Sequence, residues 1–121
     1  MNIIIKRAMA ALAFATGAAS LSASGFESVD NSTFADSIKS PGVCLIDVRT
    51  PKEYAEGHIG NAINIDVNAP DFQQKISRLD RTKTLAVYCR SGKRSKKAAQ
   101  IAEECGFRVI ELDKGYINWK K

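Results

Sequence analysis

The sequence predicts an α/β fold, with a mostly parallel central sheet and helices on both faces. Three observations predict it. Short apolar runs recur at 43–48, 85–88 and 109–112, with the length and continuity of strands buried on both sides. Stretches of helical apolar spacing lie between them, as at 95–105, and strand–helix alternation favours parallel pairing. The 121 residues suit one domain, since domains commonly run to roughly 100–150 residues.

The elements follow in order. Phe26 to Val29 reads as a short first strand. Asn31 or Ser32 then caps a helix reaching about Lys39, with Phe34 and Ile38 four apart on one face, and Pro41-Gly42 stops it. Val43 to Val48 carries a single acid, Asp47, in an apolar run and reads as a buried strand. Pro51 opens a helical turn through Glu56, because proline suits the first helical position. Ala62 to Ile65 alternates as a strand, and Pro70 to Leu79 places Phe72, Ile76 and Leu79 at helical spacing. Leu85 to Tyr88 is a strand that runs into Cys89. From Ser95 the positions Ala98, Ile101, Ala102 and Cys105 form an apolar helical stripe, and Gly106 stands just beyond its end. Val109 to Leu112 is the last strand, and Tyr116 to Trp119 a short closing helix.

Composition narrows the function classes. With 45% hydrophobic and 26% charged residues the chain is neither disordered nor fibrous. A net charge of +5 is too weak to argue for nucleic acid. Three cysteines are too few for a disulfide scaffold, and neither a zinc-type spacing nor a glycine-rich phosphate motif occurs. No metal is therefore expected.

The N-terminus has a separate role. Lys6 and Arg7 precede an uncharged, alanine-rich stretch from Ala8 to Ala19, and small residues follow at Ser20, Ser22, Ala23 and Ser24. That order defines a secretory signal peptide; a spanning anchor needs about 20 apolar residues. Residues 1–24 are thus expected to be cleaved, leaving a domain at 25–121 in the periplasm with no stable membrane insertion. Export implies an oxidising compartment, yet Cys44, Cys89 and Cys105 remain.

One loop concentrates chemistry. Cys89-Arg90-Ser91-Gly92-Lys93-Arg94-Ser95 joins a strand to a helix, at the carboxyl edge where open α/β sheets place ligands. Amides of a tight loop and of a helix start point at one anion, and Arg90, Lys93 and Arg94 surround the same point. Gly92 supplies the backbone freedom for the curl. Together these features favour a thiolate at Cys89 in a partly exposed, electropositive setting. Cys44 and Cys105 instead read as structural, one within a strand and the other on an apolar helix stripe.

These motifs resemble those of the rhodanese family. Leu45-Ile46-Asp47-Val48-Arg49, Glu53-Tyr54 and Gly57-His58-Ile59-Gly60-Asn61-Ala62-Ile63-Asn64-Ile65 are similar to its first signature. Residues 89–95 are similar to its active-site loop, and Gly115 with Trp119 to its closing motif, where Lys114-Gly115 replaces the usual pair of glycines. A short exported chain is most similar to the phage-shock-protein E type of single-domain rhodanese. The resemblance implies a sulfurtransferase: Cys89 takes sulfur from thiosulfate or a similar anionic donor, holds it as a persulfide, and passes it to cyanide or a thiol. It implies no cofactor beyond that persulfide, a substrate loop of Arg90, Ser91, Gly92, Lys93, Arg94 and Ser95, and supporting roles for Asp47 and Arg49. His58, the single histidine, is expected to make a structural hydrogen bond beside them. The acceptor extends to a thioredoxin-like protein, and the domain is expected to act as a monomer with a shallow, exposed site.

Two other readings compete. Cysteine phosphatases also use an anion loop, but with five residues between Cys and Arg, whereas four separate Cys89 from Arg94. That smaller ring suits sulfur better than a phosphoryl group. A carrier or redox-sensing module would hold sulfur on Cys89 without turnover, since a fold does not fix an activity. Lys96 and Lys97, at a helix start where cations oppose the dipole, read as a solvated face that is costly unless an anion lies nearby.

Overall fold

The computed structural model describes residues 25–119; the proposed signal peptide lies outside them. Among the described residues five strands form one sheet: β1 (Phe26–Val29), β2 (Val43–Asp47), β3 (Ile63–Asn64), β4 (Thr84–Tyr88) and β5 (Val109–Leu112). Their spatial order is β1-β5-β4-β2-β3, and each pairing is parallel. Four helices connect them: α1 (Asn31–Ser37), α2 (Pro51–Glu56), α3 (Phe72–Ser77) and α4 (Lys93–Glu104); a 3-10 turn at Tyr116–Asn118 closes the chain.

The alternation of side chains along the strands divides the core in two. Leu85, Val87 and Cys89 face Phe72 and Ile76 of α3 and Ala98, Ala99 and Ala102 of α4. Ala86 and Tyr88 face the opposite way, onto Phe34 of α1, Ile59, Ala62 and Trp119. The small alanines of α4 let it lie close against the central strand β4 and so fix where the helix begins. That placement puts Cys89 at the carboxyl end of the most enclosed strand.

Several boundaries differ from the expected ones. α1 is capped by Asp30, whose side chain accepts from the Thr33 amide at 2.9 Å, rather than by Asn31 or Ser32. It ends at Ser37, because the Lys39 and Ser40 amides turn back three residues, to Asp36 and Ser37. α2 begins at Pro51 as expected, and Thr50 and Glu53 build a reciprocal capping box. β3 shrinks to Ile63–Asn64, because the Ala62 amide bonds within a turn to Ile59. α3 covers only Phe72–Ser77, and α4 starts at Lys93 rather than Ser95. At its far end Gly106, at φ +98°, follows the Cys105 cap. The Gly106 and Phe107 amides reach back to Glu103 and Ala102, the paired bonds of a Schellman stop. No helix among the described residues is long and apolar enough to cross a membrane.

Candidate active site

The loop from Cys89 to Ser95 wraps around the Cys89 sulfur. The Gly92 amide donates to Cys89 Sγ at 3.1 Å, and Ser95 Oγ lies 3.5 Å away. Gly92 sits at φ +98°, and a Cβ there would come within 2.0 Å of the Asp113 carbonyl oxygen. Glycine is thus required by both the twist and the close approach. Gly115, at φ +75°, meets the loop from the other side, where an added Cβ would lie 2.2 Å from the Arg90 carbonyl oxygen. The Tyr116 amide donates to the Cys89 carbonyl at 2.8 Å and the Ile117 amide to that of Arg90 at 3.0 Å. The closing motif therefore holds the loop by its backbone, while exposed Lys114 pairs loosely with Asp113 at 3.9 Å.

Of the two expected sources of thiolate stabilisation, loop amides and cations, the loop donors dominate. Burial pushes the Cys89 thiol up, but hydrogen bonds from the Ser95 hydroxyl and from the Ser95, Gly92 and Ser91 amides outweigh it, leaving a net lowering. Loop donors are the leading causes that hold the thiolate, with an attraction from Arg94 beside them. Against expectation, the sulfur is not partly exposed: Cys89 is 0% exposed, sealed by its own loop and by α4. Cys44 and Cys105 are half-buried free thiols packed against the α3–α4 core. Burial raises the Cys44 thiol, with Lys83 opposing it only in part.

The cations divide into two groups. Arg90 and Lys93 are exposed at the loop mouth. Arg94, expected to be free for substrate, instead makes a two-pronged pair with Glu53 of α2, at 2.8 and 3.0 Å. This bond draws Glu53 down to about 2 against its partial burial, with help from the Thr50 amide. Lys96, although its side chain is 42% exposed, is paired as well. It bonds Asp113 Oδ1 at 2.9 Å and Glu111 Oε2 at 3.3 Å, so the protein itself supplies the anions that offset the helix dipole. Lys97 remains exposed.

Asp47, Arg49 and His58 stand behind the loop rather than at the sulfur. Arg49 Nε and Nη2 grip the Asp47 carboxylate at 2.9 and 2.6 Å, and Nη2 also donates to the Gly57 carbonyl at 2.6 Å. The Tyr88 hydroxyl donates to Asp47 Oδ2 and accepts from the Ile59 amide, both at 2.9 Å. The Arg49 guanidinium lies 4.4 Å from the centre of the Tyr116 ring, which couples this buried pair to the closing turn. His58 donates from Nδ1 to the Tyr54 carbonyl at 3.0 Å and stacks on the Tyr54 ring, as a structural role requires. Trp119 packs edge-on against Phe34 and stays away from the sulfur. Beside the loop a cleft of about 370 Å³ is lined by Arg49, Glu53, Glu56, Gly57, Arg90, Tyr116 and Ile117.

Three participants were not foreseen. Glu53, Glu111 and Tyr88 reach the site from α2, β5 and β4. Glu111 left a signal as a lone acid inside the apolar run Val109–Leu112, and Glu53 as the fourth residue of Thr50-x-x-Glu53.

A rhodanese-like domain model matches residues 30–121, three quarters of the chain and the whole of the sheet beyond β1. The chain belongs to the rhodanese family. Sulfurtransferases are prominent among its relatives. A putative sulfurtransferase of Bacillus subtilis, YtwF, is 37% identical over 76 residues, covering 63% of this chain and 72% of that protein. The thiosulfate sulfurtransferase PspE of Escherichia coli is 35% identical over 66 residues, covering 54% of this chain and 64% of that one. Among solved structures, a rhodanese-related protein of Thermoplasma volcanium superposes with a TM-score of 0.69 at 30% identity, covering 78% of this rhodanese chain and 90% of its own.

Proposed function

We propose that this rhodanese domain is a thiosulfate sulfurtransferase that works through a persulfide on Cys89. The Cys89 thiolate attacks the outer sulfur of thiosulfate. A new S–S bond forms, the donor's S–S bond breaks, and sulfite leaves with its electron pair. Cyanide or a thiolate then attacks the terminal sulfur of the persulfide and carries it off, returning Cys89 as thiolate. Two displacements on one covalent intermediate predict ping-pong kinetics.

The observation that carries this reading is the Gly92 amide aimed at Cys89 Sγ at 3.1 Å inside a sealed loop. Thiolate, dianionic donor and persulfide are all anions, and fixed amide donors stabilise each in turn without reorganising. Arg90 and Lys93 at the mouth attract the donor, and the cleft beside Arg90 and Tyr116 gives an acceptor its approach. The reaction calls for no metal and no cofactor beyond the persulfide. We read residues 1–24 as a cleaved leader and place the mature monomer in the periplasm, as a phage-shock-protein E type of enzyme whose acceptors include a thioredoxin-like protein.

Intact mass tests the reading. Thiosulfate should add one sulfur atom to the wild type and none to Cys89→Ser, and the same spectrum reports where the exported chain begins. Equal gain by both proteins, or gain by neither, would refute the persulfide assignment. Steady turnover with cyanide or a small thiol marks an enzyme, whereas labelling without turnover marks a carrier.

A further inference from the structure

Two buried polar groups meet beside the sulfur, both 0% exposed: the hydroxyl of Ser95, and the carboxylate of Glu111, which has no part in the reaction as drawn. Glu111 stands on β5, the neighbour of β4. Its Oε2 accepts from the Ser95 hydroxyl at 2.5 Å and from Lys96 Nζ at 3.3 Å, and its Oε1 accepts from the Ser28 hydroxyl at 2.6 Å. An ionised carboxylate only accepts, and a serine hydroxyl has a single hydrogen. With that hydrogen turned to Glu111, Ser95 offers the sulfur a lone pair and accepts from the Cys89 thiol across 3.5 Å. The three groups form a chain polarised in one direction, from thiol to hydroxyl to carboxylate. The sulfur at its head is closed off from solvent, so its proton has this internal route.

We propose that Glu111 is a positioning residue that takes up the Cys89 proton, relayed by Ser95, as the thiol becomes the attacking thiolate. The proposal rests on Cys89 being the nucleophile. In the step, the S–H bond breaks and its electron pair stays on sulfur. The freed proton bonds to Ser95 Oγ, the hydrogen Ser95 already held passes to Glu111 Oε2, and nothing is oxidised or reduced. Afterwards the Glu111 acid donates to Ser95, and Ser95 donates to the thiolate, so each hydrogen bond reverses and none is lost. The Gly92 amide holds the sulfur throughout. The charged groups facing this chain are few. Lys96 of α4 lies against Glu111, backed by Asp113; Ser28 of β1 is neutral; and Arg94, near the sulfur, is occupied by Glu53.

The test is the rate of Cys89 alkylation by iodoacetamide from about pH 5 to about pH 9, a span that brackets ordinary thiol ionisation. It uses the full chain, and peptide mass separates Cys89 from Cys44 and Cys105. Glu111→Gln should slow the reaction about tenfold or more on the acid side and converge with the wild type on the alkaline side, where the thiol is ionised without help from the carboxylate. Glu111→Asp should recover part of the loss. Ser95→Ala, which cuts the chain but leaves Lys96 and Ser28 on Glu111, should reproduce the acid-side loss and guards against a folding defect in the first variant. Profiles that run parallel at every pH would overturn the relay and leave Glu111 a structural role. Faster alkylation of Glu111→Gln at low pH would also overturn it, showing that the carboxylate merely repels the thiolate. Iodoacetamide carries no sulfur, so a wild type that fails to gain sulfur from thiosulfate would sink the sulfurtransferase reading without touching this result.

Discussion

Replacing Gly92 with alanine perturbs the sulfur through one backbone atom. A Cβ at this position would lie 2.0 Å from the Asp113 carbonyl oxygen, whereas ordinary contact begins at 3.4 Å. The loop must retreat by more than an ångström, because the obstacle is backbone rather than a flexible side-chain end. The φ of +98° adds strain, about 1–2 kcal/mol for a residue with a Cβ in left-handed space. Retreat pulls the amide from its 3.1 Å contact with the sulfur. A hydrogen bond to a charged group is worth about 1.5–3 kcal/mol, and each pKa unit corresponds to about 1.36 kcal/mol. The Cys89 thiol should therefore titrate higher in Gly92→Ala, and on the acid side of its midpoint the thiolate should fall by about ten- to a hundredfold. The midpoint of the iodoacetamide rate against pH measures this, with thermal unfolding run in parallel. Gly60→Ala is the control, since its φ of +47° brings similar strain but nothing within 4 Å of the new Cβ. It should lower stability slightly and leave the thiol midpoint alone. A folded Gly92→Ala protein with an unmoved midpoint would refute the claim that this amide sustains the thiolate.

Other perturbations have equally definite outcomes. Asp47→Asn leaves the Arg49 guanidinium, with its side chain 5% exposed, without its carboxylate; urea denaturation should show a loss of about 3–5 kcal/mol. Arg94 holds Glu53 down to about 2, below the unfolded value. The pair therefore stabilises the protein above about pH 4.5, and that contribution fades as pH falls toward 2. Solvent reaches a quarter of both side chains, so about 1 kcal/mol is expected. The stability gap between wild type and Glu53→Gln should close as the pH approaches 2. The same variant releases Arg94 and should lower the KM for thiosulfate. Limited alkylation at neutral pH should label Cys89 before Cys44, although Cys44 is the more exposed, because burial raises the Cys44 thiol while loop donors lower that of Cys89. Peptide mass with Cys44 labelled first would contradict that ordering.

What could be read beforehand was what is local. Alternating apolar runs gave the sheet because burial on both faces leaves a continuous signature in the strand itself, as in Val43–Asp47 and Thr84–Tyr88. The Cys89 loop was legible because seven consecutive residues contain the nucleophile, the turn glycine and the helix start. Partners supplied by strand order were not legible. Glu111 meets Ser95 only because β5 lies beside β4, and Glu53 meets Arg94 only because α2 follows the other neighbour, β2. The expectation of a free Arg94 failed for that reason: charge counts along a loop omit carboxylates arriving from elsewhere. The exposed cysteine failed because burial was judged from the polarity of the loop, whereas Arg90, Ser91 and Lys93 are exposed while the loop amides face the sulfur. Thr50-x-x-Glu53, by contrast, was a readable capping box that went unused.

A trans peptide unit is a see-saw: its carbonyl and its N–H point in opposite directions. The amides of Tyr116 and Ile117 pin the carbonyls of Cys89 and Arg90, which tips the next N–H of each unit the other way. For the second unit that N–H belongs to Ser91, whose amide is one of the donors that lower the Cys89 thiol. A segment more than twenty residues downstream thus aims one of the dipoles that face the sulfur, by gripping the far end of its rigid plane. The lever arm is backbone, and the exposed Lys114 side chain, paired only loosely with Asp113, takes no part in it.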